Sequence, residues 1–380
     1  MNSSIETAVE STDGAAKLQR PLLVQFLDEL VARGGADGAF TDPLAQARDA
    51  LASDLGGEGR PFLTVLLRTQ GKRIESLKDA LLCLTAQSDQ DFEIVVLDHD
   101  AAPDDALEVR RIVASQSAPI AAKTRIVEVA GGNRARPLNA GVREARGSYI
   151  AVYDDDDLLF GNWVEEFRRA ALSSPGRLLR SVTATQSVEP EMWPLDQAGY
   201  RTTSWPKAEY APKFVQLDHL TVNHSPFMSW AFPRSLFTVV GLRFDEELTV
   251  CEDWDLILQG SLLLGVTSID SLTAIYRRWV GGHSSYTQHS RDSWIWSEKR
   301  VVARLNDSAL LFPAGTVDAI RGGSDDPGSM RHLADRVNGL TAELSAIHGS
   351  RSWKLIALGR HVFARPRRVL VRAVRFVRAR

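Results

Sequence analysis

Gly147-Ser148-Tyr149-Ile150-Ala151-Val152-Tyr153-Asp154-Asp155-Asp156-Asp157-Leu158-Leu159 is the stretch on which the fold reading turns. Its first half is apolar or small, with β-branched and aromatic types dominant, the composition of a short buried strand. That strand ends in four consecutive carboxylates. Like charges delivered to one point must be neutralised. A divalent cation with oxygen ligands, itself able to hold a diphosphate, is the direct way to do so. A solvated acidic loop after an ordinary strand is the plain alternative, so the reading depends on the surrounding chain.

Upstream, Phe62-Leu63-Thr64-Val65-Leu66-Leu67 is a continuous apolar run of strand length that leads into Arg68-Thr69-Gln70-Gly71. A helical spacing follows on Ile74, Leu77, Ala80, Leu81 and Leu84. A second run, Phe92-Glu93-Ile94-Val95-Val96-Leu97, ends at Asp98-His99-Asp100. A helix is expected over about 104–116, a strand at 124–129 and a helix from Leu138 to Ala145, before the acidic strand. Strands apolar on both faces and alternating with helices predict a parallel sheet covered on both sides. Ligands of such sheets lie at the carboxyl ends of the strands, where Arg68-Thr69, Asp98 and Asp154–Asp157 all fall. Downstream, residues 181–235 are rich in Pro and Trp and read as short strands and loops shaping a pocket. Cys251-Glu252-Asp253-Trp254-Asp255 opens an apolar helix, and Thr273–Trp279 reads as a strand.

Composition narrows the field. The chain has 380 residues, of which 44% are hydrophobic and 24% charged, enough for a sizeable core. Its two cysteines, Cys83 and Cys251, form neither a disulfide framework nor a metal spacing and fit a reducing compartment. No window approaches the length of an apolar span, and residues 1–17 lack the apolar segment of a signal peptide. We expect a disordered lead-in and short helical appendage over 1–58, a main domain over 59–300, and a helical extension over 301–380. In the appendage, Leu22, Phe26, Leu27, Leu30 and Val31 recur at helical spacing up to Gly34-Gly35.

In order and spacing these elements resemble a family-2 glycosyltransferase. The resemblance covers about residues 60–290. It rests on Val65-Leu66-Leu67-Arg68-Thr69, Glu93–Asp98, Arg136-Pro137-Leu138-Asn139-Ala140-Gly141, Ala145–Ile150, Asp154–Asp157, and Phe244–Leu248 leading to Glu252-Asp253-Trp254-Asp255. It implies the GT-A fold, a Rossmann-like, mostly parallel α/β sheet with helices on both faces, here with helical N-terminal and C-terminal extensions. It also implies an inverting enzyme that uses Mn²⁺ or Mg²⁺ and a nucleotide-diphosphate sugar. Asp154 and Asp156 match the family's DxD pattern, and His283 falls where some relatives place a third metal ligand. Asp253, with Glu252 before it, matches the catalytic base. Inversion needs such a carboxylate on the far face of the sugar to take the acceptor's proton. Before an apolar run, an Asp also suits a helix N-cap. Arg68, Thr69, Asp98, Arg136, Asn139, Asp155 and Trp254 fall in segments that bind the nucleotide sugar, with Arg134 competing with Arg136 for the charge. Two departures stand out. The opening strand ends in Arg68-Thr69-Gln70-Gly71 rather than a Pro-Thr-Tyr-Asn-like turn, and His99 replaces the second of the usual paired aspartates.

The tail from Arg351 to Arg380 carries ten Lys or Arg and no acids. Arg367, Arg368, Arg372, Arg375 and Arg378 share one face, opposite Val369, Leu370, Val374, Phe376 and Val377. A basic amphipathic helix of this kind predicts contact with an anionic membrane surface; docking on the protein or on an oligomer mate is the alternative. Ser350–Leu355 also resembles tails of bacterial surface-polysaccharide glycosyltransferases. The expectation is a glycosyltransferase, cytoplasmic and peripheral at the inner face of the cell membrane. It would act on a glycan or lipid-linked acceptor, with a homo-oligomer allowed and no nucleic-acid partner. A nucleotidyltransferase, or a non-catalytic sugar- or lipid-binding protein on the same scaffold, are the competing readings.

Overall fold

Seven consecutive buried residues make strand β1, Leu63–Thr69, the centre of the molecule. Helix α1 (Leu22–Gly34) and helix α2 (Gly38–Ser53) precede it. After it come α3 (Ile74–Thr85), β2 (Phe92–His99), α4 (Pro103–Ala114), α5 (Ala118–Ala122), β3 (Thr124–Val129), α6 (Ala135–Glu144) and β4 (Tyr149–Asp154). β1 pairs in parallel with β2 on one side and β4 on the other, and β2 pairs in parallel with β3. The alternation of apolar runs and helical spacings therefore gives the expected α/β sheet, GT-A-like in layout. Its side chains feed two cores, one per face. Leu63, Val65 and Leu67 pack with α3 and α4, whereas Leu66 packs with α6.

Past β4 the sheet turns mixed. β5 (Leu158–Leu159) and α7 (Trp163–Ser173) lead to β6 (Leu178–Trp193), which forms a hairpin with β7 (Gln197–Thr202). Then follow α8 (Gln216–His219), β8 (Trp230–Pro233), α9 (Ser235–Thr238), α10 (Glu252–Leu264), β9 (Val266–Trp279) and α11 (Arg291–Asn306). The sheet order is β3-β2-β1-β4-β8-β6-β9-β5, with β7 on the outer side of β6. One reading needs correction here. Residues 178–193 form a single long strand, where Pro190 had argued for short pieces. β6 pairs with β9 only as far as Val188, so Pro190 interrupts no ladder on that side.

The computed structural model describes residues 19–35, 37–53, 59–193, 197–280 and 289–324. His283 and the basic helix expected within 351–380 lie outside the described residues. Residues 1–312 and 313–380 are separate compact units, and a helix, Thr316–Ser324, is described in the second. The expected boundary at 300 falls inside α11, whose Val301 and Leu305 pack with Leu248, Trp254, Leu258 and Leu262. The N-terminal helices are docked on the domain: Val24, Leu27 and Leu51 cluster with Val240. Among the described residues no helix is long and apolar enough to cross a membrane.

Candidate active site

Register places the strand-end groups side by side. Arg68 of β1 is level with Asp154 of β4, and Thr69 is level with Asp98 of β2. Arg68 is buried; its Nε and Nη2 donate to the two oxygens of Asp154 at 2.8 and 2.9 Å, a bidentate pair. Its Nη1 donates to Oε1 of Glu252 at 3.4 Å, so one guanidinium joins the DxD segment to the start of α10. Arg134, in the loop before α6, reaches the same Glu252 oxygen through Nε at 3.0 Å. The expected Arg136 is exposed and lies against Gly131-Gly132. Of the two arginines weighed for the charge, Arg134 faces the carboxylates.

Each of the four aspartates has its own partner. Thr69 Oγ1 donates to Asp155 Oδ2 at 2.5 Å. Arg73, in the turn before α3, pairs with Asp156 and stacks over Trp279, 4.7 Å from its centroid. Asp157 Oδ1 accepts the backbone N–H of Arg277 at 2.8 Å, and Arg277 Nε donates to the carbonyl of Asp156 at 2.6 Å. Burial sets the electrostatics. It pushes Asp155 up to about 7 with the help of Asp156, and raises Asp157 well above the carboxylate range. Asp156 is raised for the same reason. In Asp154 burial acts upward too, but the charge and hydrogen bonds of Arg68 outweigh it and hold this group low. Six carboxyl groups (Asp154–Asp157, Glu252 and Asp253) thus meet four guanidinium groups (Arg68, Arg73, Arg134 and Arg277).

Asp253 stands on the first turn of α10, behind Cys251, which holds the left-handed conformation at φ 67°. Its Oδ2 accepts from Asn223 Nδ2 at 3.1 Å and its Oδ1 from the N–H of Trp254 at 2.7 Å. Burial, then the neighbouring charge of Glu252, pushes Asp253 up to about 6. Glu252 itself is buried and committed to the two arginines.

A cleft of about 1020 Å³ opens along these strand ends. Arg68, Thr69, Arg134 and Asp154–Asp156 line it on the strand side, and Tyr200, Arg277 and Trp279 line it on the side of β7 and β9. Not all expected site residues line it, and Glu252 and Asp253 do not. Asn139 is buried and holds the chain at Phe244 from both directions, its Nδ2 donating to the carbonyl at 2.9 Å and its Oδ1 accepting the N–H at 3.0 Å. Trp254 is also buried, with Nε1 on the carbonyl of His219 at 2.8 Å; it packs α10 rather than lining the cleft. Asp98 is buried, raised by that burial and by Glu128, and its Oδ1 has no hydrogen-bond partner among the described residues. Arg277, Tyr200, Trp279 and His289 had not been singled out. For Arg277 a signal existed: a cation inside the otherwise strand-like Thr273–Trp279 run must have a buried anionic or carbonyl partner.

Comparison with known proteins agrees with this layout. Residues 71–237 match the glycosyl transferase family 2 model. Over that segment the chain is similar to the family-2 glycosyltransferases. The match runs from the first turn after β1 to α9, so Arg68, Thr69, Glu252 and Asp253 lie outside the matched segment. An uncharacterized glycosyltransferase of Bacillus subtilis (strain 168), EpsJ, is 26% identical over 183 residues, 47% of this chain and 49% of that protein. The chain thus spans about half the length of this curated relative. Among solved structures, S. aureus TarS 1–349 in complex with UDP-GlcNAc is 17% identical, with a TM-score of 0.48 over 65% of this chain and 67% of that one. The mannosyltransferase PcManGT from Pyrobaculum calidifontis, in complex with GDP-Man and Mn²⁺, is 16% identical, with a TM-score of 0.48 over 90% and 92% of the two chains.

Proposed function

We propose that this protein is an inverting, metal-dependent glycosyltransferase. It would move a sugar from a nucleotide-diphosphate donor to a hydroxyl of a glycan or lipid-linked acceptor in cell-surface polysaccharide biosynthesis. The observation that carries the reading is the bridge by which buried Arg68 ties the Asp154/Asp156 strand end, which lines the cleft, to the Glu252-Asp253 helix start.

Each residue has a physical task. Asp253, raised to about 6 by burial, is a carboxylate at neutral pH and basic enough to take a proton from an acceptor hydroxyl. Glu252 keeps Arg68 and Arg134 in place, and those guanidiniums present positive charge to a diphosphate at the strand ends. The residues also fit a divalent cation. Asp154, Asp155 and Asp156 line the cleft side by side and supply the hard oxygen donors such an ion takes. Among the described residues no group of three ligating side chains is present. Two carboxylates completed by phosphate oxygens and water is a common way for such an ion to be held. When bound, Mn²⁺ or Mg²⁺ supplies charge neutralisation to the departing diphosphate. Membrane attachment through the 351–380 segment is part of the same proposal and rests on sequence alone.

The test is thermal stabilisation by UDP, GDP and dTDP, each with and without Mn²⁺. Ligands of the native state stabilise it by mass action, by about 2.7 kcal/mol at a hundredfold excess over Kd, and so raise the melting midpoint. A metal-dependent shift with one nucleotide, lost in Asp156→Ala, is the expected result. No shift with any of them would sink the proposal.

A further inference from the structure

We infer that Asn223 is a positioning residue for the Asp253 carboxylate, held for that purpose by a buried polar cluster centred on Arg180. The inference rests on the reading of Asp253 as the base. Among the described residues, Asn223 makes the one side-chain hydrogen bond that Asp253 receives, Nδ2 to Oδ2 at 3.1 Å; the other bond comes from the N–H of Trp254. The opposite end of the same amide is also occupied: Asn223 Oδ1 accepts from the N–H of Ser225 at 3.2 Å. With both ends used, the amide cannot flip without losing two bonds.

Ser225 in turn belongs to the cluster. Its Oγ accepts from Arg180 Nε at 3.0 Å and lies 2.9 Å from His219 Nε2. Arg180 is 1% exposed, donates through Nη1 to the carbonyl of Pro212 at 3.2 Å, and has no ion pair among the described residues. Burial lowers Arg180 to about 10 and, with Arg180 nearby, His219 to about 4. His219 is therefore neutral at pH 7. Its Nδ1 faces the carbonyl of Val215 at 3.3 Å and must carry the proton. Nε2 then accepts the hydroxyl proton of Ser225, which leaves the Ser225 oxygen free to accept from Arg180. Every member has its hydrogen donated in one direction, so the arrangement is self-consistent. The carbonyl of His219 closes the frame by accepting from Trp254 Nε1, next door to the base.

A buried guanidinium without a carboxylate is costly, and the cluster's position explains what it does here. It fixes the 212–225 segment, which carries no strand and only the four-residue α8, so that Asn223 meets Asp253. The charged and titratable groups around Asp253 are Cys251 and Glu252 on its own turn, Arg134 and Arg68, Glu298 of α11 beside Cys251, and His224, next to Asn223 in the chain. Asn223 is the neutral donor in that surround. An N–H donor to a carboxylate stabilises the ionised form over the acid form.

The test is the titration of the Asp253 carboxyl by carbon-13 NMR of aspartate-labelled full-length protein. The resonance is assigned by its absence in Asp253→Asn. Removing the donor with Asn223→Ala raises the midpoint by on the order of one pH unit, and Asn223→Gln, which keeps an amide, returns it toward wild type. Asn223→Leu, more space-filling, serves where the alanine variant unfolds. An unchanged midpoint in folded Asn223→Ala or Asn223→Leu overturns the inference. This readout needs no turnover, so its failure is separate from that of the base reading. The latter falls if Asp253→Asn releases UDP or GDP from UDP-GlcNAc or GDP-Man at the wild-type rate.

Discussion

Arg68 shows how much one side chain decides. It bonds Asp154 twice and Glu252 once, is buried, and is held fully ionised because those two charges outweigh its desolvation. Arg68→Ala leaves the partly exposed Asp154 without its bidentate partner and the buried Glu252 with Arg134 alone, and is expected to cost on the order of 2–3 kcal/mol of stability, read as a lowered denaturation midpoint. Asp253→Asn keeps the shape and removes the proton acceptor. Turnover is expected to fall by about 10²–10⁴ while nucleotide-induced stabilisation persists, which separates chemistry from binding. The pH dependence follows from the same group. Its folded value of about 6 lies above that of an ordinary carboxyl, and only the ionised form accepts a proton. Hence kcat/KM should be flat above the value and fall tenfold per unit below it; an acid limb near pH 4 would contradict this environment.

At the scale of elements, the site depends on how α10 is delivered. Asn133 Nδ2 donates to the carbonyls of Glu246 and Leu248 at 2.5 and 2.7 Å, and Asn139 grips Phe244. From the other side, α11 contributes Arg300 and Arg304 to Asp245, and Arg304 to the buried Asp255 of α10. Helix α11 is thus a clamp on the turn that carries Glu252 and Asp253. We expect Arg304→Ala to destabilise the protein, because Asp255 is left buried with Gln259 as its one side-chain partner among the described residues, and to lower kcat more than donor KM. Steady-state kinetics beside a melting curve would show both. Gly147 is a second such point. A Cβ there would sit 2.5 Å from the backbone nitrogen of Thr64, where the chain enters β4 against β1. Gly147→Ala should therefore cost on the order of 1–3 kcal/mol by forcing that approach open.

For the whole molecule, the expectation concerns the two compact units. Residues 1–312 hold the complete cleft, from Arg68 to His289. A chain ending at Phe312 should fold and retain nucleotide-dependent thermal stabilisation. Under the proposed membrane role of the tail, it should lose binding to phosphatidylserine vesicles that the full chain shows in flotation. Equal flotation of both would move membrane contact, if any, to the first unit.

The apolar runs at 62–67, 92–97 and 149–153 determined the strands, because residues buried on both faces must be apolar over their whole length. The ends of those runs located the cleft, since a parallel sheet brings its carboxyl ends together. Asp154 and Asp156 stand at such an end, whereas Asp253, at the start of α10, was singled out through the family resemblance. Their partners were not. Arg73 and Arg134 come from two separate connections and Arg277 from β9, and no local pattern states which carboxylate each will meet. Asn139 and Trp254 lie within motif segments, yet the fold uses them to hold Phe244 and to pack α10. Whether a polar residue serves the cleft or the frame around it is settled by long-range register, and register is a property of the packed sheet, not of the chain.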